Sequence, residues 1–307
     1  MKLYFYMQKR IIFRILGVMV IILSFGFGIS FVINNNNSNS ETETDNNDIP
    51  SNIYTEILYC TMADGNLQKA LYYTSIQFVN RTNHSVPLVF LCHGFGGDMY
   101  SFYDVCLTFL ESGYAILMPE FRGFGTNEGS MTLGKVEPYD LIQWLDYVET
   151  NLPAININQT GIAGHSLGGF YALSAYTIES ANKGRFTSCV DISGPTNLSR
   201  ELEFLTMNEI PLSNLPFVEN LDEKNIINKV NETNPKNILI FHGTNDRIVD
   251  FQCSVDLMMK IDPNNNRTDV KFIPMIGYSH KISNDPEVVS TSIRWFNQYG
   301  NKSTTIT

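Results

Sequence analysis

Apolar and polar positions alternate along this chain on two length scales, and the change of scale marks its organisation. Residues 53–62 and 71–79 read as strands on either side of the turn signal Ala63-Asp64-Gly65-Asn66, which predicts an opening antiparallel hairpin. Beyond it, short apolar runs end in glycine-bearing loops at 88–92, 115–118, 160–163, 189–192, 238–241 and 270–274. Longer amphipathic stretches lie between and around them and predict helices over 100–111, 138–150, 167–180, 251–261 and 286–299, with Pro138 suited to a first helical turn. Strands and helices in this order form βαβ units, so the expected class is α/β: a mostly parallel central sheet with helices on both faces. The alternation lapses after Gly194, and residues from about 195 to 236 are expected to form a short lid insertion within one catalytic domain spanning 51–300. Residues 301–307 read as a tail.

The N-terminus follows another pattern. Residues 15–33 are an apolar run interrupted only by glycine and serine, about as long as the roughly 20 residues a helix needs to cross a bilayer. Lys2, Lys9, Arg10 and Arg14 precede it; asparagines and then Glu41, Glu43, Asp45 and Asp48 follow. This asymmetry predicts a single-pass anchor within 1–33, with the N-terminus cytoplasmic, a polar linker over 34–50 and the catalytic domain outside. Secretion after signal cleavage is the alternative, although Phe31-Val32-Ile33 makes a poor cleavage site. Sequons at Asn80, Asn83, Asn197 and Asn231 agree with export but arise readily in an asparagine-rich chain.

A formal net charge of -10 removes nucleic acid from the expected partners, because phosphate binding needs a basic face. The cysteines at 60, 92, 106, 189 and 253 lack metal-ligand spacing and fall mostly in apolar runs, which suits small core side chains. No metal and no cofactor are expected: Walker, zinc-protease and Cys-x-x-Cys motifs are missing from the sequence. It carries no sign of oligomeric state.

The candidate chemistry centres on Gly164-His165-Ser166-Leu167-Gly168, between a short strand and a helix. At a sharp strand-to-helix elbow a serine is held in a strained conformation, and only glycine fits two residues to either side. Such a nucleophile needs backbone donors for an oxyanion. The loop His93-Gly94-Phe95-Gly96-Gly97, after the first parallel strand, places the amide of Phe95 beside that of Leu167 for this purpose. His93 itself is expected to brace its loop. A serine hydroxyl also needs a histidine base, and the base an acid to fix its tautomer. Asp246, in His242-Gly243-Thr244-Asn245-Asp246, and His280, in Gly277-Tyr278-Ser279-His280, follow later strands and complete the chain order Ser, Asp, His. Asp191 and Asp250 compete for the acid; His84, His165 and His242 are weaker candidates for the base.

With the segment Phe121-Arg122-Gly123-Phe124-Gly125-Thr126-Asn127-Glu128-Gly129, these motifs make residues 53–299 resemble the α/β-hydrolase superfamily, and within it the prolyl-oligopeptidase-like and dienelactone-hydrolase-like serine esterases. Glu120 and Thr126 depart from the usual Asp and Ser of that turn, and Arg122 is expected to be structural. The resemblance implies an esterase acting on a small-molecule ester or acyl substrate. An exopeptidase acting on small peptides is the alternative, and a membrane-tethered binding protein that has lost catalysis is a more distant one. Phe95 and apolar residues of the insertion are expected to line an acyl site for an apolar ester.

Overall fold

The computed structural model describes residues 49–210 and 226–300. The expected anchor, the expected linker up to residue 48, residues 211–225 of the expected lid and the tail lie outside them. Among the described residues no helix is long and apolar enough to cross a membrane.

Eight strands form one sheet in the order β1-β2-β4-β3-β5-β6-β7-β8. Strands β1 (Ile53–Thr61) and β2 (Leu67–Ser75) make the antiparallel hairpin, and β2 runs antiparallel to β4 (Ala115–Pro119). The remainder, β3 (Val86–Cys92), β5 (Ile155–His165), β6 (Phe186–Ile192), β7 (Ile238–Gly243) and β8 (Val270–Met275), pair in parallel with β4 and with one another. All residues of β4, β6 and β7 are buried, as sheet strands covered on both faces must be. Pro274 is tolerated because β8 is an edge strand.

The crossover helices fall into two groups. Helix α1 (Tyr103–Glu111) packs against α7 (Pro286–Gly300), while α2 (Glu137–Asn151) packs against α3 (Leu167–Ala181). Pro138 does stand in the first turn of α2. Within the insertion lie α4 (Leu198–Met207) and α5 (Ile226–Thr233), and α6 (Gln252–Ile261) follows β7. Helix α5 packs on α3 and buries Ile226 and Val230, so part of the interval expected as lid belongs to the core.

Two expected boundaries need correction. Strand β2 starts at Leu67, not at 71, and ends at Ser75, where a 3-10 turn over Ile76–Phe78 takes over. Gln68 and Lys69 look like loop residues, but Gln68 is buried: its Nε2 donates to the Glu128 carbonyl at 3.0 Å and its Oε1 accepts from Asn127 at 2.7 Å. Strand β5 begins at Ile155 instead of 160, since its polar first half, Asn156 to Gln159, remains partly solvated and only Ile155 and Thr160 onward pair with β3. The five cysteines are free, four of them buried. Asn197 is the N-cap of α4, its side chain accepting the Arg200 amide at 3.1 Å.

Arg122 is structural, as expected. Its guanidinium holds Asp140 with two bonds of 2.7 Å and reaches Asp64 at 2.8 Å, which ties the turn after β4 to α2 and to the β1–β2 turn.

Candidate active site

Strand β5 ends at His165 and α3 starts at Leu167, leaving Ser166 as the single residue of the elbow. Its backbone lies at φ 57 and ψ -125, a region that L residues seldom enter. The flanking glycines explain how the turn closes. A Cβ on Gly164 would run into the Gly168 carbonyl, and one on Gly168 into the carbonyls of Cys92 and His93, all backbone atoms that cannot step aside. The Ser166 amide is anchored on the Ile192 carbonyl at 2.8 Å, and the residue is 9% exposed above the positive end of α3.

The loop at the end of β3 lies directly against this elbow, since a Cβ on Gly94 would stand 3.2 Å from Ser166 Cβ. His93 braces the loop: Nδ1 donates to the Gly94 carbonyl at 2.8 Å and Nε2 accepts the Phe121 amide at 3.1 Å. That is a neutral imidazole, and burial holds its pKa below the ordinary value. Phe95 follows in the same loop, its ring edge-on to Phe124 at 5.7 Å. Leu167, as the first residue of α3, has an amide without an intrahelical acceptor.

Acid and base come from the loops after β7 and β8. The Asp246 amide turns back onto the Gly243 carbonyl at 3.1 Å, and its Oδ1 accepts the amides of Ile248 at 2.8 Å and Val249 at 3.0 Å. Its Oδ2 accepts His280 Nδ1 at 2.7 Å and lies 3.2 Å from His242 Nε2. Burial pushes this carboxyl's pKa up, but the bonds from His242, His280 and the Val249 amide outweigh burial and hold it well below the carboxylate range. The loop of His280 is tied to that of Asp246 by Asn245 N to Tyr278 O at 2.9 Å.

His165 joins the two halves of the site. Its Nε2 donates to the His280 carbonyl at 2.9 Å, and the two rings lie 4.7 Å apart. Burial, reinforced by His280, lowers the His165 pKa to about 4, which keeps this tether neutral. The fold therefore brings Asp246 and His280 into contact and sets His280 against the residue preceding Ser166. Among the described residues no hydrogen bond joins the Ser166 hydroxyl to His280; such catalytic bonds commonly tighten only when substrate is bound.

The rival residues have other work. Asp250 accepts the Gln252 amide at 3.0 Å and pairs with Arg200 at 3.4 Å. Asp191 is fully buried at the end of β6, wedged against Gly169 and Gly194, and burial raises its pKa to about 7. The His84 ring contacts the Ile155 carbonyl through Nδ1 at 3.3 Å. Sequence reasoning missed that His242 contacts the acid and that Ser254 contacts His242 Nδ1 at 2.7 Å. A signal was present: a histidine closing the otherwise apolar strand Ile-Leu-Ile-Phe-His must find polar partners. Among the described residues no cluster of His, Cys, Asp and Glu is arranged to hold a metal ion.

Comparison with known proteins gives the same outline. Residues 87–220 match the family described as alpha/beta hydrolase fold. An Escherichia coli protein, an uncharacterized 31.7 kDa protein in the traX-finO intergenic region, is 34% identical over 95 residues, 29% of this chain and 32% of that protein. The match thus spans about a third of that relative. Among solved structures, the Pyrococcus furiosus esterase Pf2001 is similar with a TM-score of 0.63 at 19% identity, covering 80% of this chain and 93% of that one. A puromycin-hydrolyzing peptidase of Mycobacterium tuberculosis is similar with a TM-score of 0.66 at 17% identity, covering 80% and 39%. S-formylglutathione hydrolase FrmB of Staphylococcus aureus reaches 0.57 at 17% identity, covering 80% and 96%.

Proposed function

The chain has the α/β-hydrolase fold, and from that premise we propose that it is a serine hydrolase cleaving carboxylic esters through an acyl-enzyme on Ser166. One observation carries the reading: a strained serine elbow stands beside a loop whose histidine is bonded to a buried carboxylate at 2.7 Å. In the proposed reaction His280 Nε2 takes the Ser166 proton as Oγ attacks the ester carbonyl. Asp246 holds Nδ1–H and stabilises the imidazolium, and the amides of Phe95 and Leu167 receive the oxyanion. The imidazolium then protonates the leaving alcohol, and water, deprotonated by the same ring, releases the acid.

An apolar acyl or alcohol group is supported by three exposed side chains, Phe95, Ile248 and Tyr278, each on one of the loops that carry an oxyanion amide, the acid and the base. Residues 15–33 and their basic N-terminal flank support a membrane-tethered enzyme with its catalytic domain outside the cytoplasm. Turnover of a short p-nitrophenyl ester is expected to fall by about 1,000-fold or more in Ser166→Ala, measured by nitrophenolate release. Undiminished turnover in that variant would rule the reading out. Aminoacyl amides are expected to react far more slowly than esters; equal rates would favour an exopeptidase instead.

A further inference from the structure

The contacts of Asp246 extend the site by two residues that the proposed reaction does not use. His242 closes β7 with its side chain fully buried, and Nε2 faces two acceptors, Asp246 Oδ2 at 3.2 Å and the Val249 carbonyl at 3.3 Å. The proton therefore sits on Nε2. Nδ1 is left to accept the Ser254 hydroxyl at 2.7 Å, from the first turn of α6, and the Phe251 ring closes the edge at 5.5 Å. Two imidazoles thus face one carboxylate oxygen: the base, its side chain 12% exposed, donates from Nδ1 at 2.7 Å, and the fully buried His242 stands 3.2 Å away.

We propose that His242, oriented by Ser254, is a positioning residue that shares the charge of Asp246 Oδ2 and so sets how strongly the carboxylate supports a protonated His280. This rests on the reading of Ser166, His280 and Asp246 given above. The physical argument is one of competition. Each donor to Oδ2 withdraws part of the charge that the other feels, and in a dry site that sharing is large. Asp246 remains held by the Ile248 and Val249 amides on Oδ1, so removing His242 leaves the carboxylate in place with more charge directed at His280. The imidazolium is then stabilised, and the base becomes harder to deprotonate.

Other ionisable groups border this chain of contacts and stay constant in the comparison. They are His165 against the His280 ring, Lys281 next to it, Asp191 facing His242 from β6, and Glu201 facing Asp246 from α4, with Asp250 bonded to Glu201 through its amide. None of them bonds to Asp246 Oδ2 among the described residues.

The test is an NMR titration of the His280 ring in the full folded chain, with the pH dependence of kcat/KM on a short activated ester beside it. In His242→Leu the His280 titration and the acidic limb of kcat/KM are expected to move to higher pH by about one unit, with plateau kcat down about tenfold. His242→Gln, which keeps an N–H donor toward Asp246, should hold the midpoint within about 0.3 unit of wild type. Ser254→Ala should move it in the same upward direction by a smaller step. A folded His242→Leu whose midpoint stays put, or moves down, overturns the proposal. Should that variant fail to fold, an unmoved midpoint in Ser254→Ala overturns it. The titration needs no substrate, so a wild-type chain that hydrolysed no ester would sink the proposed function while leaving this measurement decisive on His242.

Discussion

The two flanks of the site are built by different physics. On one side, the elbow and the oxyanion loop are fixed by backbone against backbone: Gly164, Gly168 and Gly94 let strand, helix and loop approach closely enough to trap Ser166 at φ 57. On the other, Asp246 and His280 are fixed by hydrogen bonds on one carboxylate, two from the amides of its own loop and one from His280 on a loop that the sheet only brings near, with His242 3.2 Å from the same group. Steric trapping leaves no intermediate state, whereas a hydrogen-bonded assembly loses strength by degrees. The first flank should therefore fail abruptly on substitution and the second gradually.

Gly168→Ala gives the sharpest break. The added methyl meets the carbonyls of Cys92, which ends a central strand, and of His93, the next residue, backbone atoms that cannot yield, so the expected cost is about 3 kcal/mol or more, with ester turnover lost. Denaturant unfolding measures the first and steady-state kinetics the second; a variant of near wild-type stability and rate would show that the elbow has slack.

His165→Phe probes the seam between the flanks. It keeps a ring beside His280 and deletes the 2.9 Å bond to the His280 carbonyl, so kcat is expected to fall about tenfold with stability lowered by about 1 kcal/mol. A loss as complete as that of the glycine variant would mean that the seam, too, is sterically fixed.

Asp191→Asn should have the smallest effect. With its folded-state pKa raised to about 7, the native protein holds this proton where the unfolded chain has lost it, so this group's contribution falls as pH climbs from about 4 through 7. The asparagine variant removes that dependence, and the gap in Tm between pH 5 and pH 8 is expected to narrow by about 3 °C. An unchanged gap would show that Asp191 is already ionised without penalty.

The same contrast explains what could be seen in the sequence. The elbow was legible because glycine at fixed offsets from a serine is a steric requirement written into the chain, and the order Ser166, Asp246, His280 followed from loops at strand ends. The sheet was legible where strands were apolar. It was misjudged where polar residues are strand members held by distant partners, as Gln68 is by Glu128 and Asn127. His242 and Ser254 escaped for a similar reason. Hydrogen bonds between residues on successive elements leave only a buried polar letter behind, and its partner is known once the loops are folded. Residues of α5 fall in the interval expected as lid, but their burial against α3 depends on tertiary contact that no local pattern records.

The central claim, that Ser166 is the nucleophile activated by His280, is tested most directly by intact-mass analysis after treatment with a fluorophosphonate, followed by peptide mapping. One adduct is expected, on the peptide carrying Ser166, absent in Ser166→Ala and formed at least about 100-fold more slowly in His280→Ala. An unlabelled wild-type protein, or an adduct on any other residue, would contradict the account.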